Sequence, residues 1–257
     1  MLEDYIREKQ KEKGILLMAH VVVGYPSLEG SFELVQTIVD AGVDLLELQI
    51  PFSEPIADGP VILRANQAAL ADGITVNNCL EFARKVTQSF TIPFLLMTYY
   101  NIVFKRGEER FFAEARKAGI QGTIVPDIPP EEGESYLAAA AANNIDPILI
   151  FSPTSSPQRL NHLARFGRGF LYCVARKGVT GAETDFSAAM SEFLNRCKKA
   201  TKLPLALGFG VSCREDVQFL LGKAEVAVVG SQALRVLNTQ GIKAVGDFFR
   251  ELRGKND

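Results

Sequence analysis

The sequence predicts an α/β fold closed into a (β/α)8 barrel of the TIM type, with an extra helix at the N-terminus. Three observations carry this expectation. Eight short apolar runs alternate with helical stretches along 257 residues, and strands alternating with helices imply right-handed crossovers in a parallel sheet. The run at 43–50, VDLLELQI, is apolar on both faces, as a parallel strand covered on two sides should be. No G-x-G-x-x-G follows the first strand, which weighs against an open dinucleotide-binding sheet, and eight units at this length favour closure. No linker or charge block divides the chain, so residues 1–257 read as one domain.

Each element has a local reason. The opening MLEDYIREKQKEKG is charged, suits a short helix and lacks the apolar stretch of a signal peptide. Residues 15–23 form the first strand, ended by Gly24, Tyr25 and Pro26. Ser27 is placed to cap a helix running to Asp40, and Gly42 stands where a helix end needs a residue tolerant of positive φ. The second strand, 43–50, breaks at Pro51 into a loop holding Pro55, Asp58, Gly59 and Pro60. Helices are expected over 60–71 and 75–88, the second capped by Thr75. The third strand is TIPFLLMTYY at 91–100, followed by a helix at 108–118 and then Gly119. The remaining strands are IQGTIVPD, IDPILIF, GFLYCVA, LPLALGFG and AEVAVVGS.

Composition narrows the function classes. Apolar residues make up 47% of the chain, enough for a sizeable core, and 28 Lys plus Arg against 30 Asp plus Glu leave a net charge of −2. No basic excess points to nucleic acid. The longest apolar run, ILLMAHVVV, is too short to span a bilayer. Cys79, Cys173, Cys197 and Cys213 are dispersed with no C-x-x-C pair, and only His20 and His162 could assist them. A zinc cluster or disulfide framework is therefore not expected, and the chain reads as a reduced cytoplasmic protein.

The chemistry of such a barrel belongs to the loops at the C-terminal ends of its strands. Glu47 sits inside a strand, where an unpaired carboxylate costs several kcal/mol to desolvate, so its position asks for a function. Lying deeper than Asp58, Glu47 is the better candidate for a raised pKa and for proton transfer; Asp58 should stay ionised and accept hydrogen bonds, unless it merely closes its own turn before Gly59. Tyr99, Tyr100, Asn101 and Asp127 reach the same mouth. The segment ARKGVTGAETDF at 175–186, containing Arg176, Gly178 and Thr180, has the length and glycine content of a loop that closes over a ligand. Strands seven and eight end in Gly208-Phe209-Gly210 and Gly230-Ser231, each read as leading directly into a helix. Glycine amides and helix N-termini at these two positions suit a phosphate.

These residues together resemble the tryptophan synthase alpha chain family, whose members carry E-L-G-x-P-F-S-D-P-x-A-D-G-P where this chain has ELQIPFSEPIADGP. The likeness continues through MTYYN, VPDIPPEE, RKGVTGAE, GFGV and GSQ in the same order. The resemblance implies a barrel that cleaves indole-3-glycerol phosphate by a retro-aldol reaction to indole and glyceraldehyde 3-phosphate. It assigns acid/base steps to Glu47 and the indole N–H to Asp58. It places Tyr99, Tyr172 and Phe209 in the substrate pocket, and gives the phosphate to Gly181, Gly210, Gly230 and Ser231. Arg176, Gly178 and Thr180 fall in the mobile loop. The resemblance calls for no metal or organic cofactor in this chain. It implies a partner, a pyridoxal phosphate-dependent beta chain that receives indole through a tunnel in an α2β2 complex.

The departures are specific. Gln49 stands where the family usually has Gly, Glu54 where it has Asp, and Tyr25 where it has the Asp of G-D-P. His20 and Val22 replace an aromatic residue and a Thr. Family loops around 51–55 and after the first strand face the beta chain, so Tyr25 and Glu54 bear on docking, while His20 and Gln49 bear on the pocket wall. Two other readings remain open on the residues alone: a non-catalytic activator of a beta chain, and another sugar-phosphate barrel enzyme.

Overall fold

The computed structural model describes residues 2–174, 183–208 and 210–254. Its strands are β1 (Leu16–Val22), β2 (Leu45–Gln49), β3 (Phe94–Met97), β4 (Gly122–Ile124), β5 (Asp146–Phe151), β6 (Leu171–Val174), β7 (Leu205–Gly208) and β8 (Val226–Val229). They pair in parallel in chain order, and β8 returns to pair with β1, closing the barrel. The helices are α1 (Leu2–Glu12), α2 (Leu28–Asp40), α3 (Pro60–Ala71), α4 (Val76–Ser89), α5 (Tyr100–Arg106), α6 (Glu108–Lys117), α7 (Glu134–Ala142), α8 (Pro157–Ala164), α9 (Glu183–Ala200), α10 (Arg214–Leu220), α11 (Ser231–Gln240) and α12 (Ile242–Arg253).

Strand alternation sorts the apolar residues into two cores. One set lies between sheet and helices and includes Leu17, Ala19, Val21, Leu46, Leu48, Phe94 and Leu96. The other fills the barrel interior with Leu16, Met18, Leu45, Leu95, Met97, Ile124, Ile148, Val226 and Val228. The predicted N-terminal helix is present and plugs the N-terminal mouth: Leu2 and Ile6 of α1 are buried in the interior cluster, and Leu2 N–H donates to Asp146 Oδ2 at 3.2 Å. A side chain at Gly122 would come within 2.7 Å of Leu2, so glycine makes the plug fit.

The caps follow expectation. Ser27 Oγ accepts from Gly30 N–H, Thr75 and Asn78 form a reciprocal capping box, and Gly42 has φ 87°. Two boundaries need correction. The third strand stops at Met97 instead of running to residue 100, because Tyr100 opens α5, with its N–H donated to Asp127 Oδ1 at 2.8 Å. That acceptor, supplied from the β4 side, overrides the strand preference of the two tyrosines. After β7 the helix does not follow directly; α10 starts only at Arg214, and Asp216 Oδ2 receives the N–H groups of Ser212 and Cys213.

Candidate active site

Glu47 points into the barrel because it shares the parity of Leu45, which lies in the interior cluster. It is 3% exposed. Parallel pairing sets His20 of β1 level with Glu47 and Val22 level with Gln49. His20 Nδ1 lies 2.7 Å from Glu47 Oε1, and His20 Nε2 lies 2.9 Å from Gln49 Oε1. Gln49 Nε2 then donates to Asp58 Oδ2 at 2.6 Å, and the Tyr99 hydroxyl donates to the same oxygen at 3.0 Å. The two carboxylates singled out from the sequence are therefore the ends of one hydrogen-bonded chain, Glu47–His20–Gln49–Asp58.

Each end has a distinct environment. Glu47 Oε2 is shielded from solvent and has no hydrogen-bond partner among the described residues. Asp58 is half-buried on the β2–α3 loop, where its N–H closes a turn onto Pro55 O at 2.9 Å. Its carboxylate does not fold back on that turn; it collects Gln49 and Tyr99 instead. Tyr99 is buried, stacks on Phe52 with centroids 5.1 Å apart, and accepts the Ala57 N–H at 3.1 Å. Burial, followed by the charge of Asp58, raises its phenol well above the ordinary value. Tyr172 of β6 enters from across the barrel. Burial, then the charges of Glu47 and Asp58, and last the approach of its hydroxyl to the Glu47 carboxyl, which stops short of a formed hydrogen bond, hold it protonated far above the usual tyrosine range. A Cβ at Gly208 would stand 2.9 Å from the Tyr172 hydroxyl, so β7 must carry glycine there to admit the ring.

For His20, burial disfavours the cation, but the hydrogen bond and charge of Glu47, with Asp58 and Gln49 behind them, outweigh it and raise the pKa. Sequence reasoning had placed His20 and Gln49 only in the pocket wall. Their signal was visible, since both are polar at positions of inward parity, but the link between them appears only once β1 and β2 are set in register.

The glycine turns lie at this mouth with unequal geometry. Gly230 directly precedes α11, which Ser231 opens, and a Cβ on Gly230 would touch the His20 Cβ at 3.4 Å. That turn is thus packed beside the polar chain. Gly210 has φ 86° and open space around its missing side chain, but sits apart from α10. Phe209, Gly181, Arg176, Gly178 and Thr180 lie outside the described residues. Among the departures at the rim, Glu54 is exposed and the Tyr25 hydroxyl donates to Asn238 Oδ1 of α11 at 2.6 Å.

Among the described residues no group of three or more His, Cys, Asp or Glu could hold a metal ion, and no helix is long and apolar enough to cross a membrane. The four cysteines are free thiols, with Cys213 exposed and the other three buried.

Comparison with known proteins points to one family from both sequence and fold. The family described as Tryptophan synthase alpha chain matches residues 6–251. The tryptophan synthase alpha chain of Syntrophotalea carbinolica is 58% identical over 253 residues, covering 98% of this chain and 100% of that one. Tryptophan synthase from Mycobacterium tuberculosis superposes with a TM-score of 0.91 at 31% identity, over 98% of this chain and 96% of that one. The tryptophan synthase complex from Pyrococcus furiosus gives 0.84 at 28% identity, over 92% and 97%. With family match, sequence identity and barrel in agreement over nearly the whole length, this chain belongs to the tryptophan synthase alpha chain family, the lyase subunits of tryptophan biosynthesis.

Proposed function

We propose that the chain cleaves indole-3-glycerol phosphate, with Glu47 as the acid/base group and Asp58 as the partner of the indole N–H. The observation that carries this is Glu47 Oε2: a carboxylate oxygen buried at the reactive mouth with no hydrogen-bond partner among the described residues. An oxygen so placed is open to a substrate proton. In the reaction the Glu47 carboxyl gives a proton from Oε2 to indole C3, which leaves positive charge at the indole nitrogen. Oε2 then takes the proton of the hydroxyl on the side-chain carbon attached to C3; that carbon becomes an aldehyde, the C–C bond breaks, and its electron pair restores the neutral indole, so the carboxyl ends the turnover protonated as it began. Positive charge that gathers at the indole nitrogen is met by Asp58, which Gln49 and Tyr99 hold in place. Tyr172 closes the pocket beside Glu47.

The phosphate falls to the amides around Gly230 and Ser231, at the N-terminus of the ten-residue α11, with Gly210 following the neighbouring strand β7. The family resemblance adds Gly181 to the phosphate, Phe209 to the pocket, and Arg176, Gly178 and Thr180 to a covering loop. Docking of a beta chain in an α2β2 complex fits the same end of the barrel. Ile56 on the β2–α3 loop is 78% exposed and Phe104 on α5 is 68% exposed, unusual positions for large apolar side chains unless another surface covers them.

The test is indole release from indole-3-glycerol phosphate by purified protein, with and without the beta chain. Indole should form with the beta chain present. No release from the assembled pair contradicts the proposal.

A further inference from the structure

His20 faces the reactive carboxylate and has no part in the reaction as described. The hydrogen-bond directions around it are fixed from groups whose roles are not in doubt. The Phe52 backbone N–H can only donate, and it reaches Asn66 Oδ1 at 2.9 Å. Asn66 Nδ2 must therefore be the donor to Ile62 O at 2.9 Å and to Gln49 Oε1 at 3.3 Å. From the other side, the Asp58 carboxylate accepts from Gln49 Nε2. Both ends orient the Gln49 amide the same way, with its carbonyl toward His20. A carbonyl accepts, so His20 Nε2 carries hydrogen. The remaining contact, Nδ1 to Glu47 Oε1 at 2.7 Å, joins two atoms that each hold a lone pair, and it is attractive only with one proton between them.

We propose that His20 is a positioning residue for Glu47: the pair shares a single proton between Nδ1 and Oε1, which pins Oε1 and leaves Oε2 alone to meet the substrate, while Gln49 fixes the histidine tautomer. When Oε2 gives its proton to C3, the shared proton shifts toward Oε1; when Oε2 takes up the hydroxyl proton, the shared proton returns to Nδ1. No proton enters or leaves the pair over the cycle. Asp58 is tied to the same device, since its hold on Gln49 sets which imidazole nitrogen faces Glu47. The inference rests on the assignment of Glu47 as the acid/base group.

Among the described residues, the titratable groups that act on the imidazole are Glu47 on β2 and Asp58 on the β2–α3 loop, and the phenols of Tyr99 and Tyr172 face those carboxylates; Gly230 before α11 packs on the His20 Cβ, and Asn66 of α3 reaches Gln49. Both phenols are held neutral, so the carboxylates decide the charge. As pH rises through the raised pKa of His20 the shared proton is lost, two lone pairs face each other and turnover falls.

The test uses the chain assembled with its beta chain and indole-3-glycerol phosphate. His20→Phe should lower kcat by about tenfold, the worth of one hydrogen bond to a charged group, with KM nearly unchanged and the His20-dependent alkaline limb of kcat abolished. His20→Asn, which restores a neutral N–H donor near the Nδ1 position, should recover part of kcat without restoring that limb. The chain has only two histidines, so ¹⁵N NMR can follow His20 directly, with His162→Gln as an assignment control. His20 should titrate above the ordinary histidine value, keep Nε2 protonated throughout, and shift down in Glu47→Gln. An ordinary titration that ignores Glu47→Gln, or a wild-type pH profile in His20→Phe, overturns the proposal. Full turnover by Glu47→Gln instead defeats the acid/base assignment, and with it the part assigned to His20.

Discussion

Asp44, just before β2, and Glu47, at its middle, lie three residues apart, and each is 3% exposed. Burial does not distinguish them; their partners do. At the N-terminal mouth, Asp44 Oδ1 meets Lys13 Nζ at 2.5 Å, and Oδ2 accepts the Leu17 N–H at 2.9 Å and pairs with Arg253. Both oxygens are filled and two cations balance the charge, as a structural buried carboxylate requires. At the C-terminal mouth Glu47 has one neutralising partner, His20, and one oxygen left over. A buried acid is therefore not by itself a reactive group. On the proposed assignment the reactive one is the acid whose donors the fold leaves incomplete, at the C-terminal mouth.

This contrast can be broken at several points. The largest effect belongs to Glu47→Gln, which should reduce indole release by about 10³-fold, within the range general acid/base groups contribute. Its stability should change by no more than about 1 kcal/mol, because losing the His20 contact is offset by no longer burying an unpartnered charged oxygen; thermal unfolding in parallel with turnover checks both halves. Asp44→Asn should do the opposite, losing about 3 kcal/mol in denaturant unfolding because Arg253 and Lys13 are left without their acid. Its kcat, measured per folded molecule, should stay within about twofold of wild type. Tyr99→Phe removes one donor from Asp58 and one acceptor from Ala57. A net hydrogen bond of about 1 kcal/mol corresponds to a fall of about fivefold in kcat/KM.

The smallest effect is a pH dependence of stability. The folded pKa of His20 is raised above the ordinary value of about 6.5. The folded protein thus binds the proton more tightly than the unfolded chain. His20 adds its full stabilisation below about pH 6.5 and loses it as pH rises through the raised value. Unfolding midpoints taken across that window should fall in wild type and flatten in His20→Phe.

The sequence made the barrel legible because alternation of apolar runs and helices is a local signal, and Ser27, Gly42 and Thr75 mark their boundaries with short-range chemistry. It also pointed to Glu47 as an acid within a strand. It could not separate Glu47 from Asp44, because the cations that neutralise Asp44 come from 31 and 209 residues away. The same distance effect hid α5: its first N–H is satisfied by Asp127, 27 residues on, whereas TYY taken alone favours strand. The turn after β7 was misread for a different reason. Asp216 draws the amides of Ser212 and Cys213 to itself, which delays the helix beyond Gly210 and leaves the turn at Gly230 as the one set directly on a helix. His20 and Gln49 could be noticed as departures, but only strand register turns two odd residues into one connection between the carboxylates.

A double-mutant cycle over Asp44→Asn and Glu47→Gln, read in both unfolding free energy and indole release, tests most directly whether the two buried acids hold separate roles. The double variant should show the stability of Asp44→Asn and the turnover of Glu47→Gln, with coupling below about 0.5 kcal/mol on either axis. Strong coupling, or a loss of turnover in Asp44→Asn comparable with that in Glu47→Gln, would contradict the division between them.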